Sequence, residues 1–238
     1  MLDDSVIAIA NRYWASHLGC APEDLFSEPL RILNHSPDLA DYDGVFALFR
    51  GGGATVSLPP NRADAIRPLL TGLGKDCSSD ALAEVLQPVA EKIIGPAYIG
   101  YCAEVDPPMH PARALNPEGK PALQALQQVC NATEWEHGGS STENPCSGAF
   151  ADGKLVALAG YEIWGGTIAH ISVITHPDYR DRGFARSAVA HLAARALEAG
   201  LLPQYRTLEA NYASIRISES LGFQPYARSL AARFHDRA

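Results

Sequence analysis

From residue 185 onward, apolar side chains fall at Ala185, Ala188, Val189, Leu192, Ala193, Ala196 and Leu197. This i, i+3, i+4, i+7 spacing is the stripe of an amphipathic helix that buries one face. Gly200 stands where a C-terminal cap is expected, and Pro203 bars continuation. Just upstream, Thr167–Thr175 (TIAHISVIT) is rich in β-branched residues and too apolar for an exposed edge, which predicts a central strand. Strand and helix are joined by a short polar turn from His176 to Gly183.

The same reading extends along the chain. Asp4–Leu18 is a helix. Val45–Arg50 and Ala54–Leu58 flank Gly51, Gly52 and Gly53 and read as a hairpin. Helices follow near Asn61–Leu73 and Ser79–Leu86, then an apolar strand over Pro96–Ala103. Pro107, Pro108 and Pro111 interrupt the pattern and mark a boundary between two parts, 1–105 and 106–238. Beyond it come a helix over Lys120–Cys130 and a polar loop over Asn131–Pro145. A hairpin of Ser147–Phe150 and Leu155–Ile163 turns at Asp152-Gly153, and a further strand covers Gln204–Ala210. The fold class is α/β with a mixed sheet, preceded by a smaller α+β region in which no catalytic signature is found.

The turn suits an anionic, phosphate-bearing ligand. Gly183 permits backbone N–H groups to face the ligand closely, and the following helix contributes partial positive charge at its start. Composition changes the picture little. The net charge of −8 argues against nucleic acid as the main partner. Its distribution is uneven, +3 over residues 170–238 and −11 over 1–169. The basic excess thus falls beside the anion turn; the acidic remainder could attract a cationic amine or simply keep the surface soluble. No apolar run approaches membrane-spanning length, and Val6–Ala10 follows two aspartates, unlike a secretory signal. The five cysteines are scattered without a C-x-x-C pair, so neither a zinc site nor a disulfide framework is expected, and a cytoplasmic setting is the default.

Arg180-x-x-Gly183-x-Ala185 resembles the R/Q-x-x-G-x-G/A signature of the GNAT superfamily of acyl-CoA-dependent N-acyltransferases. Pro177 precedes it, Asn211-x-x-Ser214 and Leu221-Gly222-Phe223 follow in the family's order, and Ala112–Glu118 resembles the opening strand and turn. The resemblance covers roughly 106–238 and implies a GNAT fold there, with 1–105 an additional domain, a degenerate GNAT-like half being one form it could take. It also implies acetyl-CoA as donor, no metal, and a primary amine, on a small molecule or a peptide, as acceptor. Val173, Ile174 and Thr175 would pair with the pantetheine arm. Asp181, Arg182, Gly183, Phe184, Ala185 and Arg186 would receive the pyrophosphate through N–H groups, with Arg180 and Arg186 assisting. Asn211 and Ser214 would contact the coenzyme, although Asn211 equally reads as a helix N-cap.

Attack requires a neutral amine, hence a base. Glu136 and His137 on the polar loop, Glu162 and Tyr161 at a strand end, and His170 on the central strand are the candidates, each also readable as an ordinary polar residue. Trp135 and Trp164 could shape the acceptor pocket or pack in the core. Many family members place a tyrosine seven residues after the Asn to protonate the departing thiolate; here that position is Ser218. A serine hydroxyl is a poor acid, so Tyr226, Tyr212 or a water is the candidate substitute. Two further readings stay open: a catalytically weak acyl-CoA-binding module acting through protein interaction, and an unrelated phosphate binder. A homodimer is also left open.

Overall fold

The computed structural model describes residues 2–234. In chain order its elements are α1 (Asp4–Leu18), β1 (Arg31–Asn34), β2 (Gly44–Arg50), β3 (Gly53–Leu58), α2 (Ala63–Thr71), α3 (Ser79–Leu86), β4 (Ala90–Tyr101), β5 (Ala112–Leu115), α4 (Lys120–Val129), α5 (Ala132–Gly138), β6 (Cys146–Ala151), β7 (Lys154–Trp164), β8 (Ile168–Thr175), α6 (Phe184–Glu198), β9 (Leu202–Leu208), α7 (Tyr212–Ser220) and β10 (Gln224–Phe234). The chain divides into two compact units. Unit 1 holds residues up to 99, 207–211 and 225 onward; unit 2 holds 100–206 and 212–224. The unit boundary at 99/100 therefore falls a few residues before the expected one at 105/106. The expectation that everything beyond it forms one domain also differs from the structure. The reason is β10, whose Arg228–Arg233 pair antiparallel with Phe49–Gly44 of β2.

In unit 1, α1 starts where the Asp3 carboxylate accepts the Val6 N–H at 2.8 Å and ends at Gly19, whose φ of 79° suits a residue without Cβ. The β2–β3 hairpin turns on Gly51 and Gly52, both at positive φ. β1 runs parallel to β3, and β10 lies between β2 and β4. One face of this sheet buries Val45, Ala47, Val56 and Leu58 against Ile66, Leu70, Leu82 and Leu86 of α2 and α3. On the other face the Trp14 indole of α1 stacks on Phe46, ring centres 5.8 Å apart.

In unit 2, β5, β6, β7 and β8 form an antiparallel run, and β9 joins β8 in parallel. One face is covered by α6, whose stripe of Ala188, Val189, Leu192, Ala193 and Ala196 packs on Ala157, Ala159, Ala169 and Ile171. The small residues let helix and sheet approach closely. On the opposite face, Leu123 and Leu126 of α4 pack with Leu158, Ile174 and the half-buried Trp135. The polar stretch after residue 130 differs from expectation, for it contains α5. Asn131 caps that helix by accepting the Thr133 and Glu134 N–H groups. All five cysteines are free thiols. Among the described residues no helix is long and apolar enough to cross a membrane.

Candidate active site

The two central strands of unit 2 part company. Parallel pairing of β8 with β9 runs from Ile168 opposite Leu202 to Ile171 opposite Tyr205 and stops there. β8 continues to Thr175, still paired on its other side with β7 as far as Ala157. The backbone of Ser172–Thr175 thus has a β7 partner and no β9 partner. An unpaired strand edge accepts an extended, amide-bearing chain as an added strand. Val173, Ile174 and Thr175 lie in this stretch.

After β8, a turn over Pro177–Tyr179 leads into Arg180, Asp181, Arg182 and Gly183, and then α6. Asp181 and Gly183 both hold positive φ, 58° and 82°, a curl that concentrates peptide N–H groups. The first helical N–H with an internal acceptor is that of Ser187, bonded to Gly183 O at 3.0 Å. No side chain caps this end, so the N–H groups of Phe184, Ala185 and Arg186 precede the ladder as an anion-facing set. A Cβ on Gly183 would meet nothing closer than His110 Nε2 and Met109 Sδ, each at 3.5 Å. The glycine is therefore required for its backbone conformation, since a Cβ there would make only ordinary contacts.

The arginines divide their roles. Arg180 forms an ion pair of 2.7 Å with Glu134 on α5. Arg182 lies over the Tyr179 ring, 5.3 Å from its centre. The Arg186 guanidinium donates to Pro107 O at 2.9 Å and Ser220 O at 3.1 Å and sits 3.6 Å from Asp106. Arg186 thus offers the loop its backbone N–H, while its side chain ties neighbouring segments together.

The α4/α5 face of β7 and β8 carries the polar chemistry. Glu162 is paired across the strands with His170, and the Trp164 ring stacks on the imidazole at 3.7 Å. Trp164 Nε1 donates to Glu162 Oε2 at 3.4 Å. His170 Nδ1 lies 2.9 Å from Gln204 Oε1, and Gln204 Nε2 donates to the Tyr101 hydroxyl at 2.6 Å. An amide oxygen only accepts, so Nδ1 carries the hydrogen and Nε2 presents its lone pair. Burial pushes the His170 pKa down to about 4; the Gln204 bond opposes this and Arg206 adds to it. Nearby, α5 closes on β8: a Cβ on Gly138 would strike Val173 O at 2.4 Å, so only glycine permits this approach. The Ser172 hydroxyl is shared between Gly139 O at 3.2 Å and Gly160 O at 3.4 Å.

Glu136 is exposed on α5, two residues from Glu134 and hence turned from the side that meets Arg180. Tyr226 belongs to unit 1, where its buried phenol donates to Asn11 Oδ1 at 2.7 Å beneath the Arg50 guanidinium; burial raises its pKa strongly. Asn211, also grouped with unit 1, donates its N–H to Leu208 O at 2.9 Å. Ser218 is fully buried, its hydroxyl donating to Ile215 O at 2.8 Å.

Two residues were not singled out from sequence. Tyr205, at the point where the strands part, places its hydroxyl 2.9 Å from Ser214 Oγ on α7. Gln204 fixes the His170 tautomer. Both read as ordinary strand positions; the one available signal was a glutamine near the start of the strand.

Residues 112–223 match the model of the acetyltransferase (GNAT) family. Among solved structures, an acetyltransferase of the GNAT family from Colwellia psychrerythraea aligns over 99% of this chain and 98% of its own, with TM-score 0.52 and 12% identity, a likeness of fold. A GNAT-family structure from Novosphingobium aromaticivorans aligns at 25% identity over 62% of this chain and 67% of its own, TM-score 0.49. An acetyltransferase structure from Salmonella typhimurium, solved with acetyl-CoA as its cofactor, aligns at 17% identity over 54% of this chain and 95% of its own, TM-score 0.41. No curated protein matches the chain.

Proposed function

From the match of residues 112–223 to the GNAT acetyltransferase family, we propose that the protein moves an acetyl group from acetyl-CoA to a primary amine by direct attack. The observation that carries this reading is the end of β8–β9 pairing at Ile171 and Tyr205, followed by an uncapped helix start after Gly183. The open edge of Ser172–Thr175 suits the amide-bearing pantetheine, and the N–H groups ahead of α6 suit the diphosphate.

In the reaction, the amine nitrogen attacks the thioester carbonyl carbon and the electron pair moves to oxygen. A backbone N–H on the open stretch of β8 stabilises that oxyanion. The C–S bond then breaks, the nitrogen loses a proton and the thiolate gains one. On the acceptor side, the Glu162 carboxylate receives the proton, and His170 lies opposite it on β8 as a hydrogen-bond acceptor. A base as weak as His170 cannot deprotonate an alkylammonium efficiently, so its role is to accept a hydrogen bond from an amine that arrives neutral, with Glu162 as the stronger acceptor. On the thiolate side, the Tyr205–Ser214 hydroxyl pair supplies the proton that Ser218 does not.

The test is thiol release from acetyl-CoA with a panel of amines, run beside calorimetric binding of CoA. Release with at least one amine supports the reading. CoA binding with no release from any amine favours a coenzyme-binding module without efficient catalysis, a second reading motivated by the engaged hydroxyl of Ser218. Absence of CoA binding overturns both. A primary-amine acceptor and a cytoplasmic setting belong to the reading as expectations, and a homodimer stays open.

A further inference from the structure

The prolines before β5 do more than separate two parts of the chain. Residues 106–110 lie along the outside of the loop that enters α6, and the contacts are specific. His110 Nε2 is 2.7 Å from the carbonyl oxygen of Arg182. A carbonyl only accepts, so Nε2 carries the hydrogen. The imidazole stacks on Phe184, ring centres 4.4 Å apart and planes inclined by 25°. Ser187, fully buried, accepts the Met109 N–H at 3.1 Å and the His110 N–H at 2.9 Å and donates to Gly183 O at 3.0 Å. Its one proton and both lone pairs are engaged. Arg186 holds the segment at Pro107 O.

The consequence follows from peptide geometry. In a trans peptide the C=O and the next N–H point in opposite directions. Holding Arg182 C=O on His110 turns the Gly183 N–H to the other side of the loop. Holding Gly183 C=O on Ser187 does the same for the Phe184 N–H. Without these partners both peptides could rotate and present carbonyl oxygens, which repel an anion. We propose that His110 is a positioning residue for the coenzyme diphosphate, fixing the Arg182–Gly183 peptide so that its N–H faces the ligand. This rests on the acetyl-CoA reading above.

The test compares two ligands that share the pantetheine arm and differ in the diphosphate-bearing half: CoA and pantetheine, titrated calorimetrically into the intact protein. His110→Phe keeps a ring on Phe184 and removes the donor. It should weaken CoA about tenfold, the scale of one preorganising hydrogen bond, and leave pantetheine affinity within about twofold. His110→Gln restores an N–H donor and should recover most of the CoA affinity. Equal weakening for both ligands would mean a merely structural role, and unchanged CoA affinity in His110→Phe would also overturn the inference. If wild-type protein binds no CoA, the acetyl-CoA reading fails and takes this inference with it. If wild type binds CoA and His110→Phe binds it equally, only the inference fails.

Discussion

Arg180 and Glu134 meet at 2.7 Å, joining the loop ahead of α6 to the first turn of α5. Each side chain is 45% exposed, so the pair is worth well under about 1 kcal/mol to stability. An arriving diphosphate therefore draws Arg180 from its carboxylate at little cost. Arg180→Ala should raise the KM for acetyl-CoA about fivefold to tenfold, with kcat nearly unchanged. Thermal melting should move by no more than a degree or two. A large fall in melting temperature would make the pair structural instead.

Gly183 holds φ at 82°, a conformation that costs an L-residue roughly 1–2 kcal/mol. Because an added Cβ would meet nothing closer than 3.5 Å, Gly183→Ala tests conformation without a clash. CoA affinity should fall at least tenfold, a loss the same size as that strain. Asn, which tolerates positive φ, should do less harm than Ala or Val. Equal losses for all three would point to crowding at the ligand.

His170 gives a signature in pH. Its folded pKa of about 4 lies below the ordinary 6.5, so the unfolded chain takes up the proton first as pH falls. Stability on this account is fully present above about pH 6.5 and lost progressively down to about pH 4, a span worth up to ~3 kcal/mol. The slope of melting temperature against pH in that window should flatten in His170→Asn. If Nε2 also serves the reaction, the acidic limb of kcat/KM falls near pH 4. A limb near 6.5 would assign the profile to another group.

Tyr205→Phe removes one hydroxyl beside Ser214 and keeps the ring that packs edge-on against Phe223. Acetyl-CoA turnover should slow by about a hundredfold, the usual weight of a general acid. A thioester with an acidic aromatic thiol needs no proton on departure, so its turnover should be unaffected. Equal slowing of both donors would exclude Tyr205 from thiolate protonation.

Much of the architecture was legible because its signals are local. α6 announces itself through alanines at helical spacing, and the β2–β3 hairpin through consecutive glycines. α5 was not legible: Ala132–Gly138 has no apolar period, and its placement depends on a glycine abutting Val173 O, a contact between distant residues. The turn from Arg180 to Gly183 into α6 was readable, but the partners of its arginines were not. Arg186 looks like a phosphate ligand until Pro107 O and Ser220 O are seen within its reach. Tyr205, between Gln204 and Arg206, reads from sequence as a core aromatic. Register decides such cases, and a strand's register is set by its neighbours.

The position of β10 has a consequence in time. It lies between β2 and β4, yet every element of unit 2 is made after β4 and before β10 is finished. During synthesis the first unit waits with a gap in its sheet, the edges of β2 and β4 unsatisfied, until Gln224–Phe234 leaves the ribosome. The sheet of the first unit is therefore completed only when β10 is made, and a nascent chain stopped at residue 223 leaves one edge each of β2 and β4 open.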